Sequence, residues 1–149
     1  MATSQAILRL GADGHLSTLA GTYPGNGREP PGPVDGIGTK ARFDGIGAMA
    51  ISPTGDLYVT DGGVLRKATP EGKVDTLNPC GIEPLSGCVI SYVGGIAVDP
   101  AGTVYFTTDE YQIYRLTPDG KVALLAAGRP TCSSVACPAS ASTRRTRIS

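Results

Sequence analysis

The sequence has no tryptophan, only two phenylalanines and one histidine, and charged residues make up only 17% of its 149 positions. No apolar run approaches the roughly 18–20 residues of a membrane-spanning helix, so we expect no membrane span. Glycine (21) and proline (12) are abundant instead, together nearly twice as frequent as in average globular chains. Long helices and coiled coils are therefore excluded, and the length predicts one domain.

Positive and negative charges balance at 13 each, but Arg144, Arg145 and Arg147 all lie near the end of the chain. The rest of the chain therefore has a slight acidic excess. A nucleic-acid surface needs a concentrated basic patch, so we expect no nucleic-acid partner. We expect the arginine-bearing, Ser/Thr-rich segment 129–149 to be an irregular, disordered tail.

The sequence contains a repeat with a period near 47. IGAMAISPTGDLYV at 46–59 matches VGGIAVDPAGTVYF at 93–106, and LRKATPEGKV at 65–74 matches YRLTPDGKV at 114–122. A partial third copy is LRLGADGHLSTLAG at 8–21. Self-similarity at this period is typical of repeat architectures such as propellers.

Each full copy has the pattern of four short strands. The first apolar run ends at Pro53-Thr54-Gly55 or Pro100-Ala101-Gly102, and a second hairpin turns at Pro70-Glu71-Gly72 or Pro118-Asp119-Gly120. Proline presets the first dihedral of such a turn, and glycine takes the position of positive φ. We therefore predict an all-β chain of four-stranded antiparallel meanders. The first strand of each meander is short and rich in alanine and glycine, which suits the crowded inner ring of a radial array.

Four strings occur in the order found in NHL repeats: LAGT at 19–22, DGIGTKARFDG at 35–45, GIAVDPAGTVYF at 95–106 and RLTPDGKV at 115–122. Over about residues 7–128, the chain resembles the NHL-repeat β-propeller family. It departs from the family at the shortened turn 61–64 and in lacking the Asn-His pair. The resemblance implies an NHL-type β-propeller segment with about two full four-stranded blades plus a half blade.

The resemblance also implies an organisation along the chain. We expect the outer half of a blade (1–21), an inter-blade loop (22–45), a blade (46–77), a Cys-containing loop (78–93), a blade (94–128) and the tail (129–149). Such an arc leaves unpaired edges. We therefore expect an excerpt or a truncation product, or else a homo-oligomer in which several copies complete a ring.

The four cysteines, Cys80, Cys88, Cys132 and Cys137, lie in two equivalent inter-blade loops. This placement favours two local disulfides, Cys80–Cys88 and Cys132–Cys137, which would indicate an extracellular or periplasmic protein. Free thiols are the alternative, and a zinc site is disfavoured because the spacing is wide. No signal peptide is visible, so the compartment is otherwise open.

The sequence offers little for catalysis. The single histidine, His15, follows a glycine turn and is expected to face solvent. Asp61 and Asp99 lie at the ends of strands. Asp99 precedes a proline and is predicted to be an Asx-turn residue, and the matching residue of the other full copy is Ser52. No helix follows the glycine-rich loops, which excludes a dinucleotide fingerprint. We therefore expect no catalytic residue, no bound metal and no cofactor.

The inter-blade loops are the candidate functional surface, because loops on a rigid scaffold commonly carry recognition. Tyr23, Tyr92 and Arg129 are the residues in or beside them best suited to a contact. We therefore expect a binding scaffold for a protein, peptide or glycan. One alternative is a part of a propeller lyase or lactonase whose metal ligands lie in other blades, and another is a truncated product without independent activity.

Overall fold

The computed structural model describes residues 5–22, 32–77, 93–108 and 111–128. The strands in these ranges are β1 (Ala6–Leu10), β2 (Leu16–Gly21), β3 (Gly36–Ile37), β4 (Ile46–Ile51), β5 (Leu57–Asp61), β6 (Val64–Ala68), β7 (Lys73–Leu77), β8 (Val93–Val98), β9 (Val104–Thr108), β10 (Gln112–Leu116) and β11 (Val122–Ala127). A 3-10 turn, Gly38–Lys40, follows β3. Within these ranges, no helix has the length and apolar character to cross a membrane.

The strands form three antiparallel sheets. We call β1–β2 the half blade, the sheet β3-β7-β6-β5-β4 the central blade, and the sheet β11-β10-β9-β8 the C-terminal blade. The predicted fold class, an all-β chain with two full meanders and a further hairpin, is confirmed. The short strand β3 is an addition that the repeat did not predict. It pairs with Lys73 and Val74 of β7 and so covers part of the outer edge of the central blade, where backbone groups would otherwise be free.

The turns inside the blades have the predicted chemistry. In the central blade, the amide of Gly55 donates to the carbonyl of Ser52 at 2.9 Å, and the φ of Gly55 is +85°. In the C-terminal blade, Gly102 donates to the carbonyl of Asp99 at 2.9 Å, and its φ is +83°. Glycine adopts this left-handed region without the steric cost that a side chain brings.

Each pair of adjacent sheets encloses a hydrophobic core. The core between the half blade and the central blade contains Ile7, Ala20, Ala41, Phe43, Val59, Ala68 and Val74. The core between the central and C-terminal blades contains Leu65, Val104, Phe106, Tyr114, Leu116 and Val122. The first strands of the two full blades, β4 and β8, lie against each other. Their glycines and alanines allow the sheets to converge there, as in the inner ring of a propeller.

The inter-blade loop 32–45 runs along the outside of the central blade and returns. The amide of Gly38 donates to the carbonyl of Gly72 at 2.9 Å, at the far end of this excursion. Ala41 and Phe43, at 0% and 5% exposure, then fill the core beneath the loop. This part of the loop is therefore a structural plug.

Candidate functional site

The site residues predicted from the sequence all lie outside the described residues. These are Tyr23, Cys80, Cys88, Tyr92, Arg129, Cys132 and Cys137. The two disulfides and the three contact residues therefore stay predictions. The described part of the predicted surface is loop 32–45, together with the strand ends that hold it.

Asp99 forms the predicted Asx turn. Its Oδ1 accepts hydrogen bonds from the amides of Ala101 and Thr103, both at 2.9 Å, and its Oδ2 accepts the Tyr105 hydroxyl at 3.1 Å. The Thr103 amide, with the Tyr105 hydroxyl and the Ala101 amide, holds the pKa of Asp99 below its ordinary value. Asp99 is therefore an anionic turn cap whose two oxygens already have donors.

Asp61 lies at the end of β5 and is fully buried. One carboxylate oxygen, Oδ1, accepts the amides of Asp44 and Gly45, each at 2.8 Å. The other, Oδ2, accepts Nη1 of Arg66 at 2.8 Å. The carboxylate therefore joins the end of loop 32–45 to β6, which is a structural use of this acid.

Arg66 is the residue of this site that the sequence did not single out. Its guanidinium is 0% exposed and donates from Nη1 to the Arg42 carbonyl at 3.1 Å and from Nη2 to the Val34 carbonyl at 3.0 Å. Nη2 also donates to Oδ1 of Asp35 at 2.9 Å. With the Asp61 contact, these bonds connect one cation to both limbs of loop 32–45. We call Arg66 and Asp61 the loop anchor.

The aromatic and backbone groups around the anchor complete its geometry. The guanidinium carbon of Arg66 lies 5.3 Å from the centre of the Phe43 ring, within cation–π range. The amide of Val34 donates to the carbonyl of Arg42 at 3.1 Å, and the amide of Arg42 returns a bond of 2.9 Å. The two limbs of the loop are thus bonded to each other as well as to the anchor.

Asp35 is the half-exposed acid of the anchor. Its Oδ1 accepts the Thr76 hydroxyl at 2.7 Å in addition to Arg66. Partial burial acts to raise the pKa of Asp35, but the hydrogen bonds from Thr76 and the charge of Arg66 outweigh it, and the pKa lies below its usual value. The loop therefore presents a fixed carboxylate beside β7 at neutral pH.

The solvent-facing side of the loop has mixed chemistry. Its exposed residues are Pro33, Asp35, Ile37, Thr39, Lys40 and Asp44. Among them, Ile37 is 63% exposed on the edge strand β3. An apolar side chain, carboxylates and one ammonium on a fixed backbone can contact a polypeptide or a polar ligand, but this set contains no nucleophile paired with a base.

A cleft of about 320 Å³ lies between the central and C-terminal blades. Lys67 lines it, and its Nζ lies 2.9 Å from Oδ2 of Asp56 and 5.9 Å from the centre of the Tyr58 ring. The hydrogen bond between them raises the pKa of Lys67 and lowers the pKa of Asp56. This pair keeps both groups charged, with Lys67 in the lining of a largely apolar cleft.

His15 lies in the turn of the half blade, and its side chain is 86% exposed. Its Nδ1 is 3.1 Å from Oδ2 of Asp13, its neighbour in the same turn. Among the residues that the structure describes, no three histidine, cysteine or acidic side chains gather as a metal site would require. His15 therefore lies at a solvent-facing turn, as the sequence predicts.

Two four-stranded meanders and a further hairpin, packed face to face with their first strands together, define a segment of a β-propeller. No family model matches the sequence, and no curated protein matches it. Among solved structures, the chain is similar to selenomethionine-substituted virginiamycin B lyase from Staphylococcus aureus, at 17% identity and a TM-score of 0.46. It is also similar to a catalytically inactive variant of that lyase with quinupristin, at 18% identity and a TM-score of 0.45. Each match covers 85% of this chain and 50% of the lyase, so the chain spans about half the length of these structures.

Proposed function

We propose that this chain is an NHL-type propeller segment that acts as a binding scaffold for a protein, peptide or glycan. The ligand contacts the loops that join the fourth strand of one blade to the first strand of the next. The single observation that carries the proposal is the loop anchor, in which the buried Arg66 holds both limbs of loop 32–45. Tyr23, Tyr92 and Arg129 are the contact residues proposed in the remaining parts of this loop set.

The energetics of the anchor support a positioning role. Burying an arginine–aspartate pair costs desolvation energy that its own attraction only partly returns, so an apolar pair of the same volume is often as stable. The equivalent positions of the other two copies hold Leu8 and Tyr114. A cation is therefore not required by the blade itself, and its distinctive effect is to fix the loop. A loop that is fixed before binding loses less conformational entropy when a ligand arrives.

The cysteines extend the same proposal to the other loops. Disulfides Cys80–Cys88 and Cys132–Cys137 would close two further inter-blade loops and reduce their conformational freedom. Such bonds persist in oxidising compartments, so the proposal includes an extracellular or periplasmic location. Covalent closure in two loops and an ion-pair anchor in a third would give one surface of restrained loops.

The proposal is tested by selecting ligands for the purified chain from a peptide display library and a glycan array. The affinity of each selected ligand is then measured by calorimetry for the wild type, for Arg66→Met and for Lys67→Met. Arg66→Met removes the anchor, whereas Lys67→Met removes a neighbouring cation on the same strand that does not contact the loop. We expect Arg66→Met to weaken binding at least about tenfold, which is about 1.4 kcal/mol, and Lys67→Met to leave it unchanged.

Circular dichroism verifies that Arg66→Met and Lys67→Met keep the fold of the wild type. The binding proposal is overturned if no ligand is selected, or if both variants bind as the wild type does. Metal analysis of the purified chain adds a separate outcome. One equivalent of bound calcium or zinc, with turnover of a lyase or lactonase substrate, would support the enzyme alternative in place of the binding-scaffold proposal.

A further inference from the structure

The hairpins β1–β2 and β10–β11 have the same strand register. In β1–β2, Ile7 pairs with Ala20 and Leu10 pairs with Leu16. The residues 106 positions later form the same pairs in β10–β11, and both hairpins shift register one residue after the first of these pairs. The two hairpins are therefore equivalent units, and their side chains can be compared position by position.

One face of this hairpin is buried in the half blade and open in the C-terminal blade. Ile7 and Ala20 are at most 1% exposed, because they pack in the core shared with the central blade. Their counterparts are Ile113, which is 40% exposed, and Ala126, which is also exposed. The adjacent Leu125 is 48% exposed. We call Ile113, Leu125 and Ala126 the trailing face.

The opposite face shows the reverse pattern. Leu116 and Val122 are 8% and 7% exposed, because they pack in the core shared with the central blade. Their counterparts in the half blade, Leu10 and Leu16, are 65% and 52% exposed. We call Leu10 and Leu16 the leading face. The described chain thus has one open apolar face of each kind.

We propose that the trailing face of one copy of the chain packs on the leading face of a second copy, in a head-to-tail contact. Both junctions inside the chain join unlike faces of this kind, so the chain itself contains the packing that the contact would repeat. Two trailing faces, in contrast, do not meet anywhere in the part of the chain that the structure describes. The contact is therefore heterologous, and it leaves one open face at each end of a dimer.

A polar contact also crosses the junction between the half blade and the central blade. Nη2 of Arg9 in the half blade donates to the carbonyl of Pro70 in the turn of the central blade. Arg115 stands at the position of Arg9 in the C-terminal blade, and Ala12 stands at the position of Pro70 in the turn of the half blade. In the head-to-tail contact, Arg115 of one copy would reach the Ala12 carbonyl of the second, beside the exposed Asp13.

The open face of the half blade has only two strands, whereas the junction between the central and C-terminal blades joins two sheets of four or more strands. The head-to-tail contact buries less apolar surface than that junction, and its free energy is correspondingly smaller. We therefore expect a reversible equilibrium that depends on concentration. This contact involves neither loop 32–45 nor the anchor, so it stands or falls separately from the binding proposal.

Sedimentation equilibrium of the full chain over a wide concentration range tests the proposal, with and without reductant. Leu10→Asp places a carboxylate in the leading face and Ile113→Asp places one in the trailing face, where burial of an unpaired charge opposes contact. We expect the wild type to self-associate and each variant alone to be monomeric. An equimolar mixture of the two variants should form a dimer that grows no further, because each copy supplies one intact face.

Ile37→Asp is the control, because Ile37 is equally exposed but belongs to neither face. This variant should associate as the wild type does. Thermal unfolding of each variant verifies that the substitutions at exposed positions leave the fold intact. The proposal is overturned if the wild type is monomeric throughout, if a single variant still forms dimers, or if the mixture of variants does not.

Discussion

Asp61 and Arg66 form an ion pair in which neither side chain has any exposed surface, with 2.8 Å between Oδ2 and Nη1. They stand on consecutive strands of one hairpin, and their remaining bonds go to loop 32–45. The pair therefore couples the stability of the central blade to the conformation of a loop on its surface.

Asp61→Ala should lower the free energy of unfolding by about 3–5 kcal/mol, because it leaves the buried Arg66 without its compensating charge. The double variant Asp61→Ala/Arg66→Met should recover part of this loss. Urea unfolding of the single and double variants measures both changes. A double variant that is less stable than Asp61→Ala alone would contradict this account of the pair.

Gly72→Ala and Gly14→Ala provide a matched pair in equivalent turns. Both glycines have a φ above +80°, so alanine costs about 1–2 kcal/mol of backbone strain in each. At Gly72, a methyl group would also collide with the carbonyl oxygen of Leu19 in the adjacent half blade, whereas the space beside Gly14 is open. We expect the larger loss for Gly72→Ala in thermal unfolding. Equal losses would show that the two blades are not packed together at this turn.

Asp99 should make stability depend on pH. Its pKa is lower in the folded chain than in the unfolded chain, so its contribution is present above the unfolded pKa and is lost as pH falls through the folded pKa. Asp99→Ser, which copies Ser52 of the sister turn, keeps a turn cap without this titration. We expect the wild type to lose more stability than Asp99→Ser when the pH falls from about 5 to about 2. If urea unfolding shows that the stabilities of the wild type and Asp99→Ser change with pH in the same way, Asp99 is not the source of the pH dependence.

The four cysteines are predicted to form two disulfides. The chain purified without reductant should contain no free thiol, and peptide mapping by mass spectrometry should find Cys80 joined to Cys88 and Cys132 joined to Cys137. Four free thiols in protein from an oxidising compartment would eliminate both the disulfides and the proposed location. Disulfides that join a cysteine of one loop to a cysteine of the other would still support an oxidising compartment, but they would contradict the two local loop closures.

The strands and turns of the blades could be predicted from the sequence because their causes are local. Apolar runs end at proline and glycine, as at Pro53 and Gly55, and the 47-residue repeat shows each pattern twice. The strand β3 could not be predicted in this way. Its two residues, Gly36 and Ile37, have no strand pattern of their own, and only the adjacent edge of β7 makes them a strand.

The candidate site depends still more on distant contacts. Arg66 stands in a strand next to Lys67, and the repeat aligns it with Leu8 and Tyr114, so the sequence gives no direct sign of a buried cation. The available signals were an unusual arginine at an apolar repeat position and an acid, Asp61, at a diagonal position of the same hairpin. Its partners in the loop, such as Val34, are brought to it only by the fold.

Amide hydrogen exchange of loop 32–45, in the wild type and in Arg66→Met, is the most direct test of the claim that the buried cation holds this loop as a fixed binding surface. The amides of Val34, Arg42, Asp44 and Gly45 are hydrogen-bonded in the anchored loop. We predict that these amides are protected in the wild type and exchange at least about tenfold faster in Arg66→Met, while the amides of β5 and β6 keep their protection. Equal protection of the loop in both proteins would contradict the account.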